Sequence, residues 1–182
     1  MTVNISERQV LIDWLNLFSV HSGEKFELAS GQITDVYVDV KKTAQHHRAC
    51  KLLARLLSDK IVQEFAPIEG IAGVVLGGCH LASIAAMQYP VDLDVIFVRK
   101  EAKNHGTKNL IERPIMFPYQ EIVLLEDVIS TGNSAIEAAH LLEKEGFHVK
   151  GILAVVDRRP VKKPYLNNYK FISLVDFEEL TL

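Results

Sequence analysis

Val123-Leu-Leu-Glu-Asp-Val-Ile-Ser-Thr-Gly-Asn-Ser134 runs an apolar strand into two adjacent carboxylates, then a loop of small residues, then the start of a helix. The spacing predicts a strand over 122–125 and a helix over 134–145 closed by Gly146. In open α/β sheets the carboxyl ends of strands are where ligands bind. Ser130, Thr131, Gly132, Asn133 and Ser134 can aim successive backbone N–H groups at one point. Gly132 permits a positive φ there, and the helix N-terminus adds its dipole. The loop ends Gly-Asn-Ser and so lacks the Gly-Lys-Ser/Thr of a nucleoside triphosphatase loop.

Glu126 and Asp127 cannot favour a phosphate, but carboxylates suit sugar hydroxyls or a hydrated magnesium ion. Phosphate donors beside hydroxyl acceptors fit a ribose 5-phosphate. On spacing alone, an ordinary strand-to-helix turn with two solvated acids fits as well.

Working outward, the spacing predicts strands over 71–76, 95–98, 152–156 and 171–175, and a helix over 81–88. Apolar strands alternating with helices imply a doubly wound parallel sheet with helices on both faces, an α/β fold. Upstream, residues 6–20 read as a helix capped by Ser6, with Val10, Leu11, Trp14, Leu15 and Phe18 on one face. Residues 26–28 and 36–40, joined by a turn at Ser30-Gly31, read as a small antiparallel ribbon. A second amphipathic helix covers 45–65 and stops before Pro67. Residues 99–113 fit neither period and are polar throughout, with five Lys or Arg against two Glu. A loop that long inside a domain is usually functional or disordered.

The length of 182 residues suits a single domain, 1–182, to which 1–45 add a helix and a ribbon. A net charge of −3 offers no global basic field for nucleic acid or an anionic membrane, so an anionic ligand needs a local site. Cys50 and Cys79 have no metal-like spacing and read as reduced thiols of a cytoplasmic protein. Neither a signal pattern at the N-terminus nor a membrane-length apolar run is present in the sequence.

The Glu-Asp-Val-Ile-Ser-Thr-Gly segment resembles the phosphoribosyl pyrophosphate motif of the type I phosphoribosyltransferases. The resemblance implies their fold, with 1–45 as a small N-terminal hood. It implies that Glu126 and Asp127 hold the ribose hydroxyls and that residues 130–134 hold the 5-phosphate. Arg99-Lys-Glu-Ala-Lys-Asn-His-Gly106 resembles the catalytic loop of the orotate phosphoribosyltransferases within that family. There the loop closes over the neighbouring subunit's site, which implies a homodimer with Arg99, Lys100, Lys103 and His105 on pyrophosphate. Lys103 is the expected rate-determining cation, with His105 and Asp127 beside it in the catalytic set.

Further matches extend over nearly the whole chain. Phe26-Glu-Leu-Ala-Ser-Gly31 with Val36-Tyr-Val-Asp39 resembles the family's hood ribbon. That puts Tyr37 near the base, though a packed ribbon tyrosine fits equally. Many relatives carry lysine where Ala29 stands. Gly73-Val-Val-Leu-Gly-Gly-Cys-His-Leu-Ala82 matches the pyrophosphate loop in position, with Gly77 and Gly78 as the cradle. Relatives commonly have proline at His80, and some have lysine at Gly77; His80 suits a contact with pyrophosphate or, better, a packing or capping role. Arg158, after Asp157, stands where the family pairs an arginine with the carboxylate of orotate, a planar group suited to a guanidinium fork. Thr131 is expected to reach the base as well.

The reaction so implied joins orotate and phosphoribosyl pyrophosphate into orotidine 5-monophosphate and pyrophosphate, a step of pyrimidine biosynthesis. Magnesium would be held mainly by substrate oxygens with Asp127 nearby. Two alternatives share the fold: transfer to another base, and a non-catalytic regulator that senses phosphoribosyl pyrophosphate.

Overall fold

The computed structural model describes residues 6–27, 31, 33–99, 109–114 and 121–181. Lys100, Lys103, His105 and Ala29 lie outside these residues.

Helix α1 (Glu7–Phe18) starts where expected, with the Ser6 hydroxyl accepting from Gln9 N. Such a cap contributes about 1 kcal/mol. Leu11, Ile12 and Leu15 form its buried face. Strands β1 (Val20–Glu27) and β2 (Ile33–Val38) pair antiparallel as a separate two-stranded ribbon. β1 begins earlier than the expected 26–28, and a register shift between Ser22 and Phe26 interrupts the pairing.

The sequence reading did not foresee α2 (Val40–Ala44), a short helix capped by the Asp39 side chain. It forms because Thr43 anchors it: its hydroxyl lies 2.6 Å from that of Ser19, with both residues buried. Helix α3 (His47–Phe65) therefore starts two residues later than expected, and it buries Leu53, Leu57, Ile61 and Phe65.

The main sheet holds β3 (Gly70–Val74), β4 (Asp94–Val98), β5 (Ile111–Glu112), β6 (Glu121–Ile129), β7 (His148–Asp157), β8 (Tyr165–Leu166) and β9 (Tyr169–Asp176). Their order is β5-β4-β3-β6-β7-β9-β8. The five central strands are parallel, and β5 and β8 close the edges antiparallel. Helix α4 (Gly77–Gln88) follows β3, and α5 (Asn133–Lys144) follows β6. A short 3-10 turn, Phe177–Glu179, follows β9.

One core layer unites α1, α3 and α4 with the sheet; the other packs α5 against the opposite face. This is the doubly wound arrangement expected. Ala135, Ala138 and Ala139 let α5 lie close to the sheet.

Three further differences from expectation bear on the site. β6 continues past residue 125 to Ile129, because β7 pairs with it as far as Ile129 against Asp157. α4 begins at Gly77 rather than at residue 81, so the glycine pair forms its first turn. The 99–113 stretch is not wholly loop, because β5 returns along β4 and pairs Ile111 with Val98.

Candidate active site

A cleft of about 310 Å³ opens at the carboxyl end of β6. Its walls include Glu126, Asp127, Ser130, Thr131, Gly132 and Ser134 from the core, with Tyr37 and Arg158 opposite. Eight side-by-side sequence candidates thus meet in one space. Gly132 has φ 85° and caps α5 without a side-chain bond. Asn133 N donates to Thr131 Oγ1 at 3.4 Å, and the left-handed turn leaves the next N–H groups of α5 for a ligand, the arrangement that binds phosphate. Asn133 opens the helix and is exposed.

Glu126 is almost fully buried, and Asp127 is half-buried at the rim. The two Asp127 oxygens are held differently. Oδ1 accepts from Val128 N at 2.8 Å, while Oδ2 lies 3.9 Å from Lys41 Nζ. Gly77 packs directly on this carboxylate; a Cβ there would lie 2.1 Å from Oδ2. The first turn of α4 and the Asp127 carboxylate are therefore in contact, with Gly77 and Gly78 buried beneath rather than lining the cleft.

Arg158 is positioned by the residues around it. Asp157 and Arg159, both buried, form a two-point ion pair with Nε–Oδ1 at 3.0 Å and Nη2–Oδ2 at 2.9 Å. That pair fixes the turn after β7, and Arg158 N donates to Ile129 O at 2.7 Å. The Arg158 guanidinium then reaches the ribbon, donating to Val36 O at 3.0 Å and Thr34 Oγ1 at 2.6 Å. It also lies 4.5 Å from the centre of the Phe177 ring. Burial lowers its pKa from the ordinary arginine value without threatening its charge. Tyr37 stacks on Phe26 of the ribbon at 5.6 Å, so it is both packed and part of the cleft wall.

Arg99 stands apart from this cleft. Its Nε donates to Glu112 Oε1 at 2.8 Å, and it lines a separate hollow against α5. The turn after β4 aims it there, because Arg99 N donates to Leu110 O as β5 returns.

His80 sits on the first turns of α4 with its Nε2 buried and, among the described residues, without a hydrogen-bond partner. Burial pushes its pKa down, and the charge of Asp127 opposes this in part. Cys79 donates to Gly73 O at 3.6 Å, and burial pushes its thiol up to about 11. Both fit packing roles.

Sequence reasoning missed Glu27, which lines the cleft from the ribbon, and Lys41, which stands over Asp127. Glu27 belongs to a strand with no period-2 burial signal. Lys41 lies in a helix too short to announce itself.

The oxygen-rich rim fits a hard divalent cation such as magnesium, which favours oxygen ligands and keeps several waters. Among the described residues no three His, Cys, Asp or Glu side chains gather as a metal cage. Among them also, no helix is long and apolar enough to cross a membrane.

Residues 39–179 match the phosphoribosyl transferase domain family. The orotate phosphoribosyltransferase of Methanococcus maripaludis is 34% identical over 183 residues, covering 100% of this chain and 97% of that protein. That of Pyrococcus furiosus is 34% identical over 157 residues, 85% of each chain. Among solved structures, the Mycobacterium tuberculosis orotate phosphoribosyltransferase in complex with 5-phospho-alpha-D-ribosyl 1-diphosphate superposes with a TM-score of 0.76 at 26% identity. The match covers 97% of this chain and 100% of that one. With relatives of this identity along its full length, the chain belongs to the phosphoribosyltransferase family, in the company of its orotate phosphoribosyltransferases.

Proposed function

We propose that this protein is an orotate phosphoribosyltransferase that joins orotate to phosphoribosyl pyrophosphate. The observation that carries the reading is the shared cleft of Glu126, Asp127, the 130–134 turn and Arg158. One end offers N–H groups and hydroxyls to a phosphate; the middle offers carboxylates to a ribose; the far side offers a guanidinium to a planar carboxylate.

Transfer at the anomeric carbon goes through an oxocarbenium-like state, as in glycosides. Glu126 and Asp127 accept from the ribose hydroxyls and favour the positive charge growing on the ring. The start of α5 holds the 5-phosphate, which fixes the ring while the anomeric carbon moves from pyrophosphate to base. Arg158 and Tyr37 hold orotate over that carbon, with Thr131 beside them. Gly77 and Gly78 pack beneath Asp127 and Leu125, forming the turn beside which pyrophosphate would lie. Asp127 is the residue that would help hold magnesium here, and the ion would supply Lewis-acid neutralisation of the leaving pyrophosphate.

Arg99, Lys100, Lys103 and His105 serve a neighbouring subunit's site. The placement of Arg99 in a hollow apart from its own cleft supports this homodimer reading. Residues 1–182 act as one catalytic domain with the β1–β2 ribbon as its hood, and the enzyme works in the cytoplasm. A panel of bases tests the assignment. Pyrophosphate release from phosphoribosyl pyrophosphate is expected with orotate and not with adenine, guanine, hypoxanthine or uracil. Release with a purine instead would move the protein to another branch of the family.

A further inference from the structure

Lys41 belongs to none of the motifs that mark the site, yet its ammonium stands between two carboxylates. Nζ lies 2.5 Å from Asp39 Oδ1 and 3.9 Å from Asp127 Oδ2. Its position is built. The N–H of Asp39 donates to Ser19 O at 2.8 Å, the Asp39 side chain caps α2 by accepting from Lys41 N, and Thr43 locks the next turn to Ser19. Lys41 therefore arrives from the junction of hood and core, and it meets a carboxylate at the end of a strand more than eighty residues away in sequence. The side chain is half-buried, which limits screening of the pair. Burial works against its charge, but the Asp39 hydrogen bond and the nearby Asp127 outweigh this and raise its pKa. His80, whose imidazole also feels Asp127, Lys41 and Asp39, completes the surroundings from α4.

Two consequences follow for Asp127. With Oδ1 tied to Val128 N, the position of Oδ2 is set by the space above Gly77 and by Lys41. Without the cation, Asp39 and Asp127 would face an incoming polyanion as two uncompensated charges, and like charges in proximity repel.

We infer that Lys41 is a positioning residue for phosphoribosyl pyrophosphate: bridging Asp39 and Asp127, it fixes the Asp127 carboxylate and offsets its charge beside the Gly77-Gly78 turn. The inference rests on the phosphoribosyl pyrophosphate reading of the cleft but not on the choice of base.

Calorimetric titration of the full chain with phosphoribosyl pyrophosphate and magnesium tests it, in a double-mutant cycle of K41M and D127N. K41M is expected to weaken binding about tenfold, the scale of coupling within one charged network, with the melting temperature little changed. In the D127N background the same substitution should weaken it by about twofold or less, because its target is gone. K41R should recover most of the lost affinity, as a merely structural filler would not. Should K41M fail to fold, K41Q carries the same cycle. Binding within twofold of the parent in K41M, or an equal loss with and without Asp127, would overturn the proposal.

Discussion

The carboxylate of Asp127 fills the space into which a side chain at Gly77 would grow, with Oδ2 only 2.1 Å from where that Cβ would sit. The obstruction is the far end of a side chain rather than backbone, so Gly77→Ala should displace Asp127 without unfolding the protein. Moving Asp127 breaks its bond from Val128 N and its alignment on Lys41. The expected result is a stability loss of about 1 kcal/mol, at the mild end for overpacking. Binding of phosphoribosyl pyrophosphate should weaken about tenfold, one charged hydrogen bond's worth. Thermal melts and steady-state kinetics check the two parts separately.

Arg158 has two employments, and its substitution should show both. Arg158→Ala removes donors from Val36 O and Thr34 Oγ1 and empties the face toward the base. The KM for orotate should rise about 10- to 100-fold, the range for one or more charged hydrogen bonds, while that for phosphoribosyl pyrophosphate moves little. Arg158→Lys should not restore orotate binding, because an ammonium cannot make the two-point contact. Equal effects on both substrates would mean that loosening of the ribbon dominates.

Below that arginine, the Asp157–Arg159 pair is a stability element. The side chains are 3% and 8% exposed, so removing one partner leaves a buried charge alone. Arg159→Met should cost about 3 kcal/mol, at the lower end for a broken buried pair. The lower end is apt because Lys162 Nζ already lies 3.7 Å from Asp157. Urea unfolding measures it. The turn carrying Arg158 should loosen as well, so orotate binding should fall in parallel.

Cys79 provides a pH test of the packing beside the Gly77-Gly78 turn. Burial raises its thiol to about 11, which favours the neutral form in the folded protein. The thiolate is the reactive species, so at pH 8 only about one Cys79 in a thousand is reactive. Alkylation of the native protein should be slow and accelerate about tenfold per pH unit up to about pH 11. Denaturation should abolish the protection, as peptide mass spectrometry would show. Rapid labelling at pH 7 would contradict the packed position above Gly73.

Much of this site was legible in the linear sequence because its parts are local. Glu126, Asp127 and the 130–134 turn lie within nine residues, and the left-handed Gly132 was readable from the strand-to-helix context. The parallel direction of the central strands followed from their apolar runs. What stayed hidden is long-range. Lys41 reaches Asp127 through a five-residue helix fixed by a Ser19–Thr43 contact, which no periodicity announces. The bonds from Arg158 to Thr34 and Val36 depend on how the ribbon docks. The end of β6 was read four residues short because charged residues usually end a strand, whereas β7 pairing carries this one onward. β5 was hidden for a similar reason: two residues paired along β4 leave no pattern of their own.

The most direct test is the fall in orotate absorbance when the purified protein is mixed with orotate, phosphoribosyl pyrophosphate and magnesium. The account predicts a steady loss that requires all three additions and releases one pyrophosphate per orotate consumed. A folded protein that binds phosphoribosyl pyrophosphate but leaves orotate unchanged would contradict the assignment of the base site built around Arg158.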